Sequence, residues 1–378
     1  VSSKGATGTI PPEEHRALAQ LRPQAHDRKA RIGFIGAGWW ATTNHMPVLQ
    51  TRHDVELVSV CSLDPALNER IRHDFGFSHA TTDYRELLAQ GLDGVVVASP
   101  HSLHAEHAIA ALEAGCHVMV EKPMTTKGVE ARRLVQLARK NQLQILVPYG
   151  WHYRPLSAKA REVMARGVLG KIEFVVGHIG SPTKNLFTAT SFDWSTGAYT
   201  TANLSTWADP ALSHGGYGQG QLTHLIALVI WLTDLEATSV NASMERAGAS
   251  VDLYDTLSVH FKSGAVGAFS GAATVPSDMS HQLDLRIYGT SGMLLFDIER
   301  PRLEVHSHAG GHQVMPVVAD DGAYRCDEPP HQFVELILGL TNQNNAPGEV
   351  ALRAVEIIDA AYRSEQSGQR EIVGEHSI

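Results

Sequence analysis

The sequence predicts a two-domain α/β protein: a parallel sheet wrapped by helices, then an α+β half built on a large, open, mainly antiparallel sheet. Three observations carry that expectation. The run Arg31-Ile-Gly-Phe-Ile-Gly-Ala-Gly-Trp-Trp-Ala41 is a short apolar strand that ends in a glycine-rich turn and opens a helix. From there to about Pro148, apolar strand-like runs alternate with amphipathic helical ones, the pattern of parallel strands joined by helical crossovers. After Gly150 short β-rich runs are separated by tight turn signals, the pattern of antiparallel pairing.

Taken in order, residues 1–30 are polar, carry Pro11-Pro12 and lack the apolar core of a secretion signal. They read as an N-terminal arm of a cytoplasmic protein. In the first domain, 31–148, strands are expected at 31–35, 55–61, 94–98, 117–120 and 144–147. Helices are expected at 39–50, 65–74, 84–90, 103–114 and 127–140. The last of these repeats apolar residues at helical spacing through Leu134, Val135 and Ala138. The second domain, 149–378, opens with a helix at 157–166 that stops at Gly167. Strands follow at 172–177, 237–244, 255–261, 265–272, 283–288, 293–297 and 303–306. Lys262-Ser263-Gly264 and Gly289-Thr-Ser-Gly292 mark turns between them. Between Ser181 and Gly220 lies a long connection, of a length that compact domains usually keep for function. Late helices are expected at 330–340 and 348–364, the second packing back on the first domain.

Bulk properties narrow the function. With 378 residues the chain can build two sizeable cores, and 43% hydrophobic with 19% charged residues suits a soluble globular protein. A net charge of −9 argues against nucleic acid or an anionic membrane as partner. The longest apolar helix-like run, Leu222 to Leu232, is too short to span a bilayer and carries His224. Cys61, Cys116 and Cys326 form no C-x-x-C and read as buried free thiols. The 21 histidines include no H-E-x-x-H. In His101-x-x-His104-x-x-His107 the side chains rotate off one helix face, and no cysteine or carboxylate closes a site, so no metal is expected.

The glycine turn carries the first chemistry. Gly36 permits the turn, Gly38 lets backbone approach a pyrophosphate, and Ala41 lets the helix pack close to the sheet. The helix N-terminus offers free N–H groups to the phosphates. Dinucleotide binding follows, with Trp39 and Trp40 at the turn either over the pyrophosphate, lining the substrate cleft or in the core.

Beyond this point the residues resemble the Gfo/Idh/MocA family of oxidoreductases. The resemblance rests on Glu121-Lys122-Pro123, Ser99-Pro100-x-x-x-His104, Ala114-Gly-x-His117-Val, Tyr153-Arg154-Pro155, the glycine-rich approach to His224, and the late run from Ala351 to Ser364. It implies a Rossmann domain followed by a domain whose open sheet carries the substrate face and makes the oligomer contact. It also implies NAD(P)-dependent oxidation or reduction of a sugar, glycoside or cyclitol, with oxidation at C3 of a glycoside and a tightly bound cofactor among the forms it takes. A cis peptide before Pro123 is implied as well.

On that resemblance Lys122 and His224 are the catalytic residues. Lys122 is expected to donate to the substrate oxygen, and His224 to take the hydroxyl proton, since imidazole titrates near neutrality. Cofactor contacts are expected from Gly36, Gly38, Trp39, Trp40, Ser62, Asp64, Ser99, Pro100, His101, His104, Glu121 and Lys122. Substrate contacts are expected from His152, Tyr217, Gln221 and Trp207, with Trp194 and Tyr199 on the same loop. Two departures stand out. Relatives usually carry Asp one helical turn before the histidine, where this chain has Gly220, so His224 needs another partner: Gln221, Tyr217 or His152. Ser62 replaces the acid that usually holds the ribose hydroxyls of NAD. Asp64 could take that role, which leaves NAD favoured and NADP open. Two other readings remain: a non-catalytic dinucleotide sensor, and a reductase of non-sugar substrates.

Overall fold

The computed structural model describes residues 28–190 and 198–374. Trp194 and all but the last three residues of the N-terminal arm lie outside them.

The first sheet contains β1 (Ala30–Ile35), β2 (Val55–Cys61), β3 (His79–Thr81), β4 (Gly94–Val97), β5 (His117–Val120) and β6 (Ile145–Leu146), in spatial order β3-β2-β1-β4-β5-β6. Every pairing is parallel, with Ile35 opposite both Cys61 and Val97. Apolar residues point to both faces, as a sheet covered on both sides requires. The order reverses between β1 and β4. Ligands bind at the carboxyl ends of the strands at such a switch point.

Local chemistry sets the element ends. Helix Pro65–Phe75 starts with Asp64 as its cap and Pro65 at the first position, and stops at Gly76, whose φ is 79°. Helix Gly128–Asn141 buries Ala131, Leu134, Val135 and Ala138 along one stripe. The helix after the glycine turn begins at Trp39, widens to π winding over Ala41–His45, and continues as Met46–Gln50.

The second sheet has nine strands: β7 (Ile172–Gly180), β8 (Ala237–Glu245), β9 (Tyr254–Phe261), β10 (Val266–Ala272), β11 (Gln282–Gly289), β12 (Gly292–Asp297), β13 (Arg302–Ser307), β14 (His312–Val314) and β15 (Glu371–Ile372). Their order is β14-β13-β12-β11-β7-β10-β9-β8-β15, and only β7 and β10 run parallel. Side chains alternate along β9 and β11, buried on one face only. The buried face receives helix Thr223–Thr233, whose first ten residues are all buried, and helix Gly348–Ser367.

Three short strands, β3, β14 and β15, lie outside the sequence expectation, because two or three residues show no alternation to read. The expected strand at 144–147 shortens to β6, since Val147 donates its N–H to the Ala346 carbonyl instead. The long connection after Ser181 contains short helices at Lys184–Phe187, Ser205–Ala208 and Pro210–Ser213. Late helices reach back to the first sheet. Phe333, Val334 and Ile337 of helix Glu328–Ile337 share a core with Ile32 and Phe34. Helix Gly348–Ser367 pairs Glu356 with Arg132, and its Asp359 accepts the Gly128 N–H.

Candidate active site

At the switch point, Gly36 has φ +98° and donates its N–H to the Cys61 carbonyl at 2.9 Å. A Cβ there would sit 2.4 Å from the Ala98 backbone, so only glycine fits between the ends of β1 and β4. Gly38 differs: a Cβ there would meet nothing within 4 Å. That open space, in front of a helix N-terminus at the sheet's carboxyl edge, fits a pyrophosphate. Trp39 is 5% exposed and packs edge-on to Trp40 and to Trp207, in one cluster with Leu186. The core reading therefore holds for Trp39. Trp207 joins the glycine turn, while Trp40 stays half-buried beside it.

At the end of β2, the Ser62 hydroxyl donates to Asn68 Oδ1 at 2.6 Å, and Asn68 returns a bond to the Ser62 carbonyl. Asp64 Oδ1 accepts the Ala66 and Leu67 amides. One oxygen of its carboxylate is thus engaged as a helix cap. Only its second oxygen remains for a ribose contact.

The histidine series ties strand exits together. His104 faces the Pro123 carbonyl through Nδ1 and the Ser99 carbonyl through Nε2, each at 2.8 Å. His107 bonds the Ser99 hydroxyl. His101 is buried against His104. Burial pushes all three imidazoles below their ordinary value, His107 to about 4. Ser99 and Pro100 thus sit where β4 leaves the sheet, fixed to the exit of β5. The peptide between Lys122 and Pro123 is cis.

Glu121 follows β5 directly. Its Oε1 lies 2.6 Å from His45 Nε2 on the π-wound turn, and its Oε2 accepts the Lys122 N–H. Burial pushes Glu121 up, but the His45 hydrogen bond and the neighbouring charges outweigh it and leave the carboxyl below its ordinary value. The Lys122 ammonium donates to the Gly220 carbonyl at 2.7 Å. Burial lowers Lys122, partly offset by Glu121. Gly220 lies in a second π-wound stretch, Gly218–Leu222, where widened winding lets a side chain reach a main-chain carbonyl. A Cβ on Gly220 would lie 2.8 Å from the Phe187 ring. That ring occupies the space an aspartate would need.

His224 is the second residue of the following helix and is 3% exposed. Tyr149, Trp151 and Tyr324 meet its ring edge-on, with centroids 5.6, 5.2 and 5.6 Å away. Its Nδ1 is buried without a hydrogen-bond partner among the described residues. Burial pushes its pKa well below the ordinary imidazole value, and the Lys122 charge adds to that. Aromatic packing thus orients this imidazole without a carboxylate.

The glycine-rich approach is held from outside. Asp252 accepts the Gly216 and Gly218 amides at 2.7 and 2.8 Å. Tyr362, on the last long helix, donates to Asp252 and accepts the Gly216 and Gln219 amides.

Three expected substrate contacts fall elsewhere or remain open. Tyr217 is fully buried, its hydroxyl engaged by Ser181 and the Ile179 carbonyl, so it supports the sheet. His152 stacks on Trp231 at 4.8 Å and bonds the Asn345 carbonyl, with Arg161 also over Trp231. It packs, and burial drives it to about 3. Gln221 is half-buried, and its side chain has no hydrogen-bond partner among the described residues, although its carbonyl accepts the Thr223 N–H. The residues beside His224 are instead Trp151, Tyr324 and Tyr149, with His281 against Trp151 and Tyr324. His45, Asn68, Trp151, His281 and Tyr324 escaped the sequence reading. Only Trp151, adjacent to His152, carried a local signal.

A parallel sheet with an open glycine turn at its switch point defines a dinucleotide-binding class of protein, with a lysine and a caged imidazole gathered near its carboxyl edge. The chain belongs to the Gfo/Idh/MocA family: residues 30–149 match its NAD-binding Rossmann-fold oxidoreductase domain and residues 157–295 its C-terminal domain. It is 39% identical over 145 residues to D-glucoside 3-dehydrogenase of Escherichia coli (strain K12), covering 38% of this chain and 41% of that protein. It is 24% identical over 307 residues to levoglucosan dehydrogenase of Pseudarthrobacter phenanthrenivorans, covering 71% of this chain and 74% of that protein. The chain thus spans about two fifths of the length of the first of these relatives. Its fold matches a solved levoglucosan dehydrogenase in complex with NADH and levoglucosan, with a TM-score of 0.72 at 20% identity, covering 92% of this chain and 100% of the other. Among the described residues no helix is long and apolar enough to cross a membrane.

Proposed function

We propose that this protein is an NAD(P)-dependent dehydrogenase of sugars or glycosides that acts on a ring secondary hydroxyl. The observation that carries the reading is Lys122 Nζ held on the Gly220 carbonyl beside the aromatic enclosure of His224. The 3-position of a glycoside is the favoured site of attack, supported by the likeness to a D-glucoside 3-dehydrogenase. A small sugar as partner, a cytoplasmic setting and a homo-oligomer belong to the same reading, and the net charge of −9 supports the absence of nucleic acid.

Gly36, Gly38 and the helix that follows would hold the dinucleotide's phosphates, with Ser62 and the second oxygen of Asp64 nearest its ribose. When bound, the nicotinamide accepts the hydride. Lys122 donates a hydrogen bond to the substrate oxygen and stabilises the negative charge that grows there. His224, neutral because of its burial, accepts the hydroxyl proton. Trp151 and Tyr324 pack edge-on to the imidazole and exclude water from it.

The test is nicotinamide reduction over a panel of glycosides, free sugars and cyclitols, with NAD and with NADP. Turnover of at least one ring alcohol is expected, with NAD preferred by less than about 100-fold, because a single missing charged contact is worth only a few kcal/mol. Tight cofactor binding without turnover of any member would replace this reading with dinucleotide sensing. Turnover confined to non-sugar carbonyl compounds would replace it with the reductase reading.

A further inference from the structure

The outer strands of the nine-stranded sheet carry a side-chain cluster unrelated to the nicotinamide site. Glu304 and His306 are two residues apart on β13 and so share a face, and His312 on β14 pairs directly across from His306. His312 Nε2 and His306 Nε2 lie 3.0 and 3.2 Å from the same oxygen, Glu304 Oε2. The two rings stack 4.1 Å apart at 15°. The three ligand atoms all lie within 4.8 Å of one another. Arg302 grips both carboxylate oxygens, donating from Nε to Oε1 and from Nη2 to Oε2 at 3.0 Å.

We propose that Glu304, His306 and His312 form a binding site for a divalent transition-metal ion of the zinc class. Zinc–ligand bonds of about 2.0–2.1 Å place tetrahedral ligand atoms about 3.3 Å apart, close to the two nitrogen–oxygen separations here. Two imidazole nitrogens and one carboxylate oxygen are a set that suits zinc, copper or nickel rather than magnesium or calcium. The remaining coordination positions face solvent, since His306 and His312 side chains are 38% and 47% exposed. Arg302 gives the carboxylate the outer partner that ligating carboxylates usually have, and the ion would share Oε2 with its Nη2. The expectation of no metal rested on the His101 series and on local spacing. This triad forms only when a turn folds β14 back along β13.

The proposal is tested by titrating the whole protein with zinc chloride in the presence of excess magnesium, by calorimetry, and with cobalt as a spectroscopic probe. One zinc per chain is expected, along with a tetrahedral-type cobalt spectrum. His306→Ala, His312→Ala and Glu304→Gln should each weaken binding on the order of tenfold or more, a scale that even supporting contacts reach. Circular dichroism checks that each variant folds. The absence of saturable zinc binding by the wild type would overturn the proposal. So would unchanged affinity in the His306→Ala/His312→Ala double variant.

Discussion

Lys122 has its main-chain N–H on Glu121 and its ammonium on the Gly220 carbonyl. That contact fixes the ammonium and leaves two further N–H groups for a substrate oxygen. Lys122→Met should therefore lower turnover by on the order of 100-fold or more while leaving NAD binding nearly intact, as loss of a transition-state donor does. Steady-state kinetics beside a cofactor titration checks this, and near-normal turnover would remove Lys122 from the chemistry.

His224 yields a pH prediction. Its pKa lies well below the imidazole norm, through burial first and Lys122 second. Neutral, proton-accepting histidine then persists across neutrality and into mild acid. The acid limb of kcat/KM for oxidation should fall below the ordinary imidazole range, with a flat profile from there through neutrality. His224→Asn should slow oxidation and abolish that limb. A wild-type limb at or above the ordinary imidazole pKa would show that the base is another group.

At the scale of elements, the two π-wound stretches explain why sequence reading reached only part of the site. Ala41–His45 delivers His45 to Glu121, and Gly218–Leu222 delivers the Gly220 carbonyl to Lys122. A widened turn leaves no mark in apolar spacing, so neither contact was legible. The glycine turn could be read from one continuous strand–turn–helix stretch, whereas Glu121-Lys122-Pro123 and His224 were singled out through the family resemblance. Trp151 and His152 are neighbours in a tight turn, Gly150–Tyr153, and so point to different faces. Choosing between them needed the positions of Trp231 and Tyr324, far away in the chain. His281 and Tyr324 likewise reach the site only through tertiary packing.

Gly220 yields the prediction at this scale. Restoring the aspartate common among relatives must displace the buried Phe187 ring, 2.8 Å from where the new Cβ would stand. Gly220→Asp should cost about 1–3 kcal/mol, the usual penalty of overpacking, and lower the melting temperature. Combining it with Phe187→Leu should recover part of the loss. A Gly220→Asp variant as stable as the wild type would mean that Phe187 does not fill that space.

For the whole molecule, the buried histidines set the response to acid. His101, His107, His152, His224 and His281 are all pushed below 6.5, to about 4, 3 and 4 for His107, His152 and His281. Each imidazole binds its proton more readily in the unfolded chain. Their contribution is thus fully present above pH 6.5 and is lost as pH falls from there toward the folded values. Each group removes up to about 1.4 kcal/mol per pH unit in that window. Asp255 acts in the opposite sense: burial, then Asp252, raises its carboxyl, so the folded chain keeps a proton that the unfolded chain releases. Burial also raises Glu130 and Glu356, but among the described residues nine lowered imidazoles outnumber these three carboxyls. Thermal melts should show a steep loss of stability between pH 6.5 and 5. A constant melting temperature over that range would mean that these imidazoles are not held neutral.

The hydroxyl of Tyr362 has a consequence for the timing of synthesis. It binds the amides of Gly216 and Gln219, so a residue made late shapes a loop made about 145 residues earlier. While the chain is still on the ribosome, the first sheet can assemble except for the contributions of its late helices, and NAD can find its glycine turn. The carbonyl that holds Lys122 cannot settle until the last long helix has emerged and docked. Nucleotide binding should thus precede competence for chemistry in the life of each new chain, and the unfinished protein would hold its cofactor without reducing it.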